Sequence, residues 1–549
     1  MRQPVKFTKL LVAVLLAAVV FSSCSKQPES LKAIPKDAIM VTSIDLKSLA
    51  IKGKLFELGE LEMVQTLKEE AKSGGGEVSD MMQQFSENPG KVGLSFTKPI
   101  FIFAAAENVE SPYIAVAAEM SSASDFEEFS KAMIKEAMGN VEVEEQSGYK
   151  RILMGDEAVV AWDDSKMVMA FTPEYRGREG LVPYVESIMT QDESNSILAS
   201  ADFKSFYGDK KDISLWMSTD FLSELGNEYD QIIAQTGMDI KGSYWHMHTD
   251  FRDDEIKMIS KVVPNDEVKD MMDKMSSSRG SFDKASLSYF PEKNHAFFKT
   301  YIGLTAYSDM IKNNPQFGSM AGAFEQQMGM TVEEALESIS GDIMVSLIEF
   351  EQEEIEYQSY EYDEEGNFKE VTKTRTENMP KVAIMLNMTN TKVYEKLMES
   401  VPPNMYEAKD GYNAVSEFGV KGYFAQKDNM LMITNHLDVI ENFAGDGYAS
   451  GSMKDSKKAG EIASSYGYGY MNMEMENYPE FIQDLAKGGV GNEEALFFDF
   501  VTGMINEIEV KNEGFYSGEV TVSMKEGSGN SLNAIVTGIN EQYKKVTGL

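Results

Sequence analysis

The sequence predicts an α+β fold in which antiparallel sheets carry packed helices and the whole arrangement is written twice in tandem. Three observations lead there. Apolar, strand-like runs recur between short turns, and amphipathic helical faces fall among them without the regular strand–helix alternation of a Rossmann or TIM fold. The same segments then return in the same order roughly 250 residues later.

Taken in chain order, Ile34-Pro35-Lys36-Asp37-Ala38 opens an apolar run ending near Leu46, followed by a helical face over 55–71. A strand over 99–104 precedes a helix in which Phe126, Phe129, Met133 and Ile134 share one side. Residues 158–172 read as a hairpin, with Val159-Val160-Ala161-Trp162, a turn at Asp163-Asp164-Ser165-Lys166, and Met167-Val168-Met169. A further helical face covers 221–235. Phe290-Pro291 then opens a second run of the first type, ending near Leu304.

Pro112, Ala115 and Met120 have counterparts in Pro380, Ala383 and Met388, each 268 residues on. Tyr394, Leu397, Met398 and Val401 repeat the helical face. Gly148-Tyr149 and Met167/Met169 match Gly411-Tyr412 and Met430/Met432 at an offset of 263, and the second hairpin turns at Gln426-Lys427-Asp428-Asn429. A last helical face spans 478–487. Ile100 matches Ile343 at an offset of only 243, so the second copy carries about 25 extra residues before Pro380. The expected organisation is a first half over 34–278 and a second over 279–549, the latter with an insert at 349–379.

Charge and cysteine usage restrict function. The 549 residues carry 51 Lys+Arg against 89 Asp+Glu, a formal net charge of −38, which repels nucleic-acid phosphates. A single cysteine excludes an intrachain disulfide framework and any cysteine-based zinc or iron–sulfur cluster. With 42% hydrophobic and 10% aromatic residues, the chain is globular rather than a disordered polyanion.

That single cysteine stands at a telling place. Arg2, Lys6 and Lys9 precede twelve uncharged, mostly apolar residues, 10–21, too short a run to span a bilayer and of the form of a secretory signal. Phe21-Ser22-Ser23-Cys24 directly after it resembles a bacterial lipobox, with Phe21 where leucine is usual. The reading is a lipoprotein signal peptide over 1–23, acylation of Cys24, and a polar tether over 24–33. Several acyl chains anchor durably, at about 0.8 kcal/mol per buried CH₂. A flexible tether of this length spans about 15–18 Å, which keeps the body near the membrane. Cleavage removes three positive charges and no negative ones, taking −38 to −41.

The lipobox, the start at Ile34-Pro35-Lys36-Asp37-Ala38, and about 500 acidic residues in two related halves together resemble an uncharacterised family of Bacteroidota lipoproteins known only as a domain of unknown function. The resemblance implies an outer-membrane location and supplies no catalytic residue. Exported members of such lipoproteins carry lysine and paired acids after the cysteine. Here Ser25-Lys26-Gln27-Pro28-Glu29 keeps the lysine and breaks the pair, leaving the periplasmic face and the cell surface both open.

Three segments carry candidate chemistry. His246, His248 and Asp250 alternate along a strand and could hold Zn²⁺. Trp245, Met247, Thr249 and Phe251 on the other side form a core pattern, so the histidine side is expected to be a solvated face without metal. Residues 349–365 hold nine acids and no base, then a turn signal at Glu364-Glu365-Gly366-Asn367, then Lys369, Lys373 and Arg375. This reads as a protruding hairpin whose arms pair by charge, at about 0.2–1 kcal/mol per pair. It lacks the spacing of a calcium loop. A partner-binding arm is the functional alternative.

Tyr466-Gly467-Tyr468-Gly469-Tyr470 would align three tyrosines on one face, for packing or for stacking on sugar. Gly74-Gly75-Gly76 and Gly488-Gly489-Val490-Gly491 read as linkers, and no serine-hydrolase, phosphate-loop or zinc-protease motif is present. No catalytic residue, cofactor or metal is therefore assigned. The expected role is a lipid-anchored, non-catalytic binding or envelope-structural lipoprotein with a protein or glycan partner. The alternative is a carboxylate-based glycan hydrolase of unfamiliar fold.

Overall fold

The computed structural model describes residues 27–66, 69, 89–105, 113–138, 141–171, 177–226, 229–230, 233, 239–277, 279–307, 315–362, 368–417, 420–488 and 500–547. Cys24 with the segment before it, the 74–76 and 489–491 glycines and the 364–367 turn signal lie outside the described residues. Two compact units are distinguished, one built from 1–47 and 68–209, the other from 48–67 and 210–549. This is a division by packing, whereas the halves 34–278 and 279–549 are a statement about repetition.

The first unit contains β1 (Ala38–Ile44), β2 (Ile100–Ala105), β3 (Tyr113–Glu119), β4 (Glu144–Gln146), β5 (Tyr149–Met154), β6 (Ala158–Trp162) and β7 (Lys166–Phe171). They pair antiparallel in the order β4-β5-β6-β7-β3-β2-β1. Val41, Phe103, Ala115 and Ala170 face one another across four strands and are all buried. On the opposite side, the helix Ala123–Met138 lays Phe126 and Ile134 against Trp162, Met167 and Ala118. The Phe126 and Trp162 rings meet edge to face at 5.4 Å. The expected hairpin forms because Asp163 Oδ1 accepts from the backbone N–H groups of Ser165 and Lys166, at 2.7 and 2.8 Å, and holds the turn closed.

The second unit contains β8 (Ile213–Ser218), β9 (Tyr244–Arg252), β10 (Glu255–Val263), β11 (Ala296–Ile302), β12 (Gly341–Tyr362), β13 (Phe368–Met388), β14 (Glu407–Ala408), β15 (Asn413–Glu417), β16 (Val420–Lys427), β17 (Met430–Thr434), β18 (Gly467–Asn472), β19 (Ile505–Asn512) and β20 (Ser517–Met524). Their order is β14-β15-β16-β17-β13-β12-β11-β18-β19-β20-β10-β9-β8, antiparallel throughout. The first seven repeat the strand order of the first unit, ten strand numbers on. The predicted α+β class is what the structure shows.

One surface of this sheet is a core. Met344, Met385 and Met432 stand in register, fully buried, under Val439, Ile440 and Phe443 of the helix Leu437–Ala444 and under Ile462 of the helix Ala459–Ser464. The other surface is apolar but open. Ile433, Ile384, Val345 and Phe298 are direct cross-strand neighbours there, and Ile433, Ile384 and Phe298 are exposed.

Register corrects one sequence match. Met169 pairs with Val116, whereas Met432 pairs with Met385, the counterpart of Ala117. The methionines matched at the 263 offset therefore point to opposite surfaces. The first hairpin loop holds three residues, 163–165, between β6 and β7, the second only two, Asp428 and Asn429, between Lys427 and Met430. Asp428 takes the left-handed conformation, with φ of 51°, that so tight a turn demands.

Gly341, at the start of β12, has no room for a side chain, because a Cβ there would stand 1.6 Å from the Asn387 carbonyl oxygen on β13. Gly341→Ala is expected to cost about 2 kcal/mol or more, read as a lower urea midpoint at unchanged m-value.

Candidate functional site

The histidine strand is reversed relative to expectation. His246 and His248 are 3% and 8% exposed, while Trp245 and Met247, assigned to the core, are 48% and 40% exposed. The reason is the chemistry of the neighbouring strands. In register, His248 faces Ser214 on β8 and Ile259 on β10, and its Nδ1 lies 2.9 Å from the Ser214 hydroxyl. Buried polar groups that satisfy one another carry little penalty, so this row can turn inward.

Asp250, two residues on, is occupied by cations and not poised for a metal. Its carboxylate accepts from Lys52 Nζ at 2.7 Å and from Arg252 Nε at 2.9 Å. Lys52 also donates to Asp212 at 2.6 Å, and Asp212 accepts from the Ser48 hydroxyl and the Phe251 N–H as well. Among the described residues no group of three His, Cys, Asp or Glu side chains is arranged to hold a metal ion.

Asp212 and Asp250 are thus two carboxylates sharing one ammonium. Burial pushes the Asp250 carboxyl up, but the hydrogen bonds from Lys52 and Arg252 outweigh it and hold the group below its ordinary value. Such a carboxyl is a poor proton donor, and the cluster acts as a clamp between the helix Leu46–Lys52, β9 and the start of β8. A group with a depressed folded pKa stabilises above its unfolded pKa, and loses that contribution as pH falls through the folded value. Asp250→Asn should therefore lower stability at pH 7 by about 2 kcal/mol. The difference from the parent should shrink from about pH 4 downward in acid-unfolding curves.

The sequence reading missed the most deeply buried charge. Lys299, mid-strand in β11, is fully buried. Its ammonium donates to the Ser465 carbonyl at 2.9 Å and lies 3.3 Å from Asp342 Oδ1, with the Phe282 ring 4.4 Å away. Arg279 donates to the same Ser465 carbonyl at 2.8 Å. Burial pushes Lys299 down and Asp342 up, and each partner's charge partly opposes the other's shift. A lysine in the run Phe297-Phe298-Lys299-Thr300-Tyr301 was the only signal available.

With its ammonium engaged and no exposure, this lysine ties β11 to β12 and to the loop after the helix Ala459–Ser464. Lys299→Met should destabilise by about 3–5 kcal/mol, since it strands Asp342. Adding Asp342→Leu should recover a substantial part, giving a non-additive double-mutant cycle.

The three aligned tyrosines are packing groups. Tyr466 and Tyr468 are buried. Tyr468 Oη donates to Glu509 at 2.5 Å and Tyr470 Oη to Asn294 at 2.7 Å. Burial pushes the Tyr470 hydroxyl up to about 12. Gly469 leaves room for the Phe298 ring, which a Cβ would meet at 2.9 Å.

The acidic segment forms the predicted hairpin as the outer part of β12 and β13. Lys373 pairs with Glu361 at 2.8 Å, and Lys381 pairs with both Glu351 and Glu353. His436 meets Glu349 at 2.8 Å. No helix among the described residues is long and apolar enough to cross a membrane.

Comparison with known proteins identifies the family. Residues 31–532 match the domain of unknown function DUF4836, and the chain belongs to that family. No curated protein matches. Among solved structures, crystal form IV of TP0453 is similar at 8% identity over 42% of this chain and 79% of that one, with a TM-score of 0.24. Crystal form I of TP0453 gives 6% identity over 44% and 81%, again at 0.24.

Proposed function

We propose that this DUF4836 protein is a lipid-anchored outer-membrane lipoprotein of Bacteroidota type, with a non-catalytic binding or envelope-structural role and a body that arose by tandem duplication. The observation that carries the anchor is the position of the sole cysteine, Cys24, directly after a basic n-region and a twelve-residue apolar run. The duplication is supported by the recurrence of one seven-strand order in β1–β7 and β11–β17.

A binding or structural role is supported by what the side chains do. Asp212, Asp250 and Asp342, the buried and half-buried carboxylates of these clusters, are held in ion pairs. The sheet of the second unit meanwhile leaves Trp245, Met247, Phe298, Ile384, Ile433 and Met471 exposed on a single surface. Soluble bodies rarely leave such surfaces bare without use.

Cells expressing the protein and fed an alkyne palmitate analogue should label the parent. Cys24→Ala should lose the label and release the body from membranes into the soluble fraction. Persistent labelling of Cys24→Ala would remove the anchor reading.

A further inference from the structure

The hairpin formed by β12 and β13 does more than carry charge. Beyond Leu347 on β12 and before Val382 on β13, the two strands pair only with each other among the described residues, in one continuous register out to Tyr362 and Phe368. That extension runs about 45 Å at the usual rise per residue. A two-stranded ribbon of such length is marginal in water unless one of its faces is supported.

Its two faces differ completely. The inner face holds Glu349, Glu351, Glu353, Ile355, Tyr357 and Glu361 on β12, opposite Lys381, Met379, Glu377, Arg375, Lys373 and Lys369. All four cations of the extension are on this side. Three of them are used internally, Lys381 and Lys373 in ion pairs and Arg375 bonded to Glu377 at 2.6 Å with its guanidinium 5.1 Å from the Tyr357 ring. Ile355 is buried there.

The outer face has Gln352, Glu354, Glu356, Gln358, Tyr360 and Tyr362 opposite Asn378, Thr376, Thr374, Thr372, Glu370 and Phe368. Every one of these residues is exposed. It carries three carboxylates and no cation. At its end Tyr360, Tyr362 and Phe368 are 67%, 69% and 71% exposed, with the Tyr362 and Phe368 rings 4.5 Å apart.

We propose that this outer face docks a basic, arginine- or lysine-bearing segment of another protein. The aromatic tip supplies anchors of the kind that dominate interface energies, and their faces also attract guanidinium groups. Glu354, Glu356 and Glu370 supply the complementary charge, and Thr372, Thr374 and Thr376 supply hydroxyls along the strand. An anionic bilayer is disfavoured by those same carboxylates. The proposal deepens the binding role above by naming the class of partner, and it does not draw on the acyl anchor. Loss of the palmitate result would leave it standing.

A test must separate this face from the general acidity of the chain. The full-length protein is titrated in physiological salt against a fluorescent peptide of about twelve residues, alternating arginine and threonine. The variant Tyr360→Ser/Tyr362→Ser/Phe368→Ser and the variant Glu354→Gln/Glu356→Gln/Glu370→Gln should each weaken binding at least tenfold. A variant neutralising exposed acids elsewhere, Glu399→Gln/Glu407→Gln/Asp446→Asn, should bind as the parent does.

All substituted side chains are exposed, and thermal unfolding of each variant checks that the fold is retained. A benzophenone side chain placed at position 362 of the otherwise unchanged protein should crosslink the peptide. Three outcomes overturn the proposal. These are absence of peptide binding, equal weakening by the distant acids, or tip-dependent binding to phosphatidylethanolamine–phosphatidylglycerol vesicles in place of the peptide.

Discussion

The pleat of the antiparallel sheet is the constraint on which the rest of this structure depends. Successive side chains must alternate between the two surfaces, and directly paired residues must share one. In the second unit this forces a row such as Met432, Met385, Met344, Lys299, Tyr468 and Lys511 onto one surface, each paired with the next. The row begins as an apolar core of three methionines and becomes polar within three strands. Lys299 sits where it changes, fully buried yet bonded to a carbonyl and close to a carboxylate. The sheet cannot turn this lysine to solvent without also turning Phe297 and Tyr301 out of the core, so the charge is accommodated by partners.

The same constraint explains what could be read in advance. Strand and helix identities were legible wherever periodicity was clean, as in the hairpin of β6 and β7 and the helix Ala123–Met138. Alternation in Trp245-His246-Met247-His248 was legible too, but it shows only that the strand has two unlike faces. Which face is covered depends on the strands on either side, on Ser214 of β8, 34 residues earlier, and on Ile259 of β10. The usual assumption that apolar faces point inward fails here, because the polar face finds partners, His248 in Ser214 and Asp250 in Lys52 and Arg252. Asp250 illustrates the same limit, since its cation comes from Lys52, 198 residues earlier. A lone lysine in an apolar strand likewise gave no period to detect.

The hairpin shows how one extra residue can preserve a face. Along the inner part of β12 the core-side residues are Asp342, Met344, Ser346 and Ile348, at even positions. Along its outer part the residues on the side of buried Ile355 are at odd positions. On β13 odd positions keep to the core side throughout, from Met385 and Ala383 to Lys381, Arg375 and Lys373. The register shift between Leu347 and Glu349 reconciles the two strands, because Ile348 is the additional residue of a β-bulge.

Without that bulge, Glu349, Glu351 and Glu353 would stand on the surface opposite Lys381 and His436, and the ion pairs that support the extension could not form. With it, the inner face of the extension continues the methionine core and the outer face continues the open apolar surface past Ile384 and Pro380. The acidic run therefore has two jobs assigned by parity alone. Odd-numbered acids of the extension's β12 arm lie on the side of the hairpin's own cations, and even-numbered ones look outward with the aromatic tip. A composition count, which sees eleven acids against three bases between 349 and 377, cannot distinguish them. The pleat can, and it makes the hairpin a two-sided object instead of a uniformly charged spike.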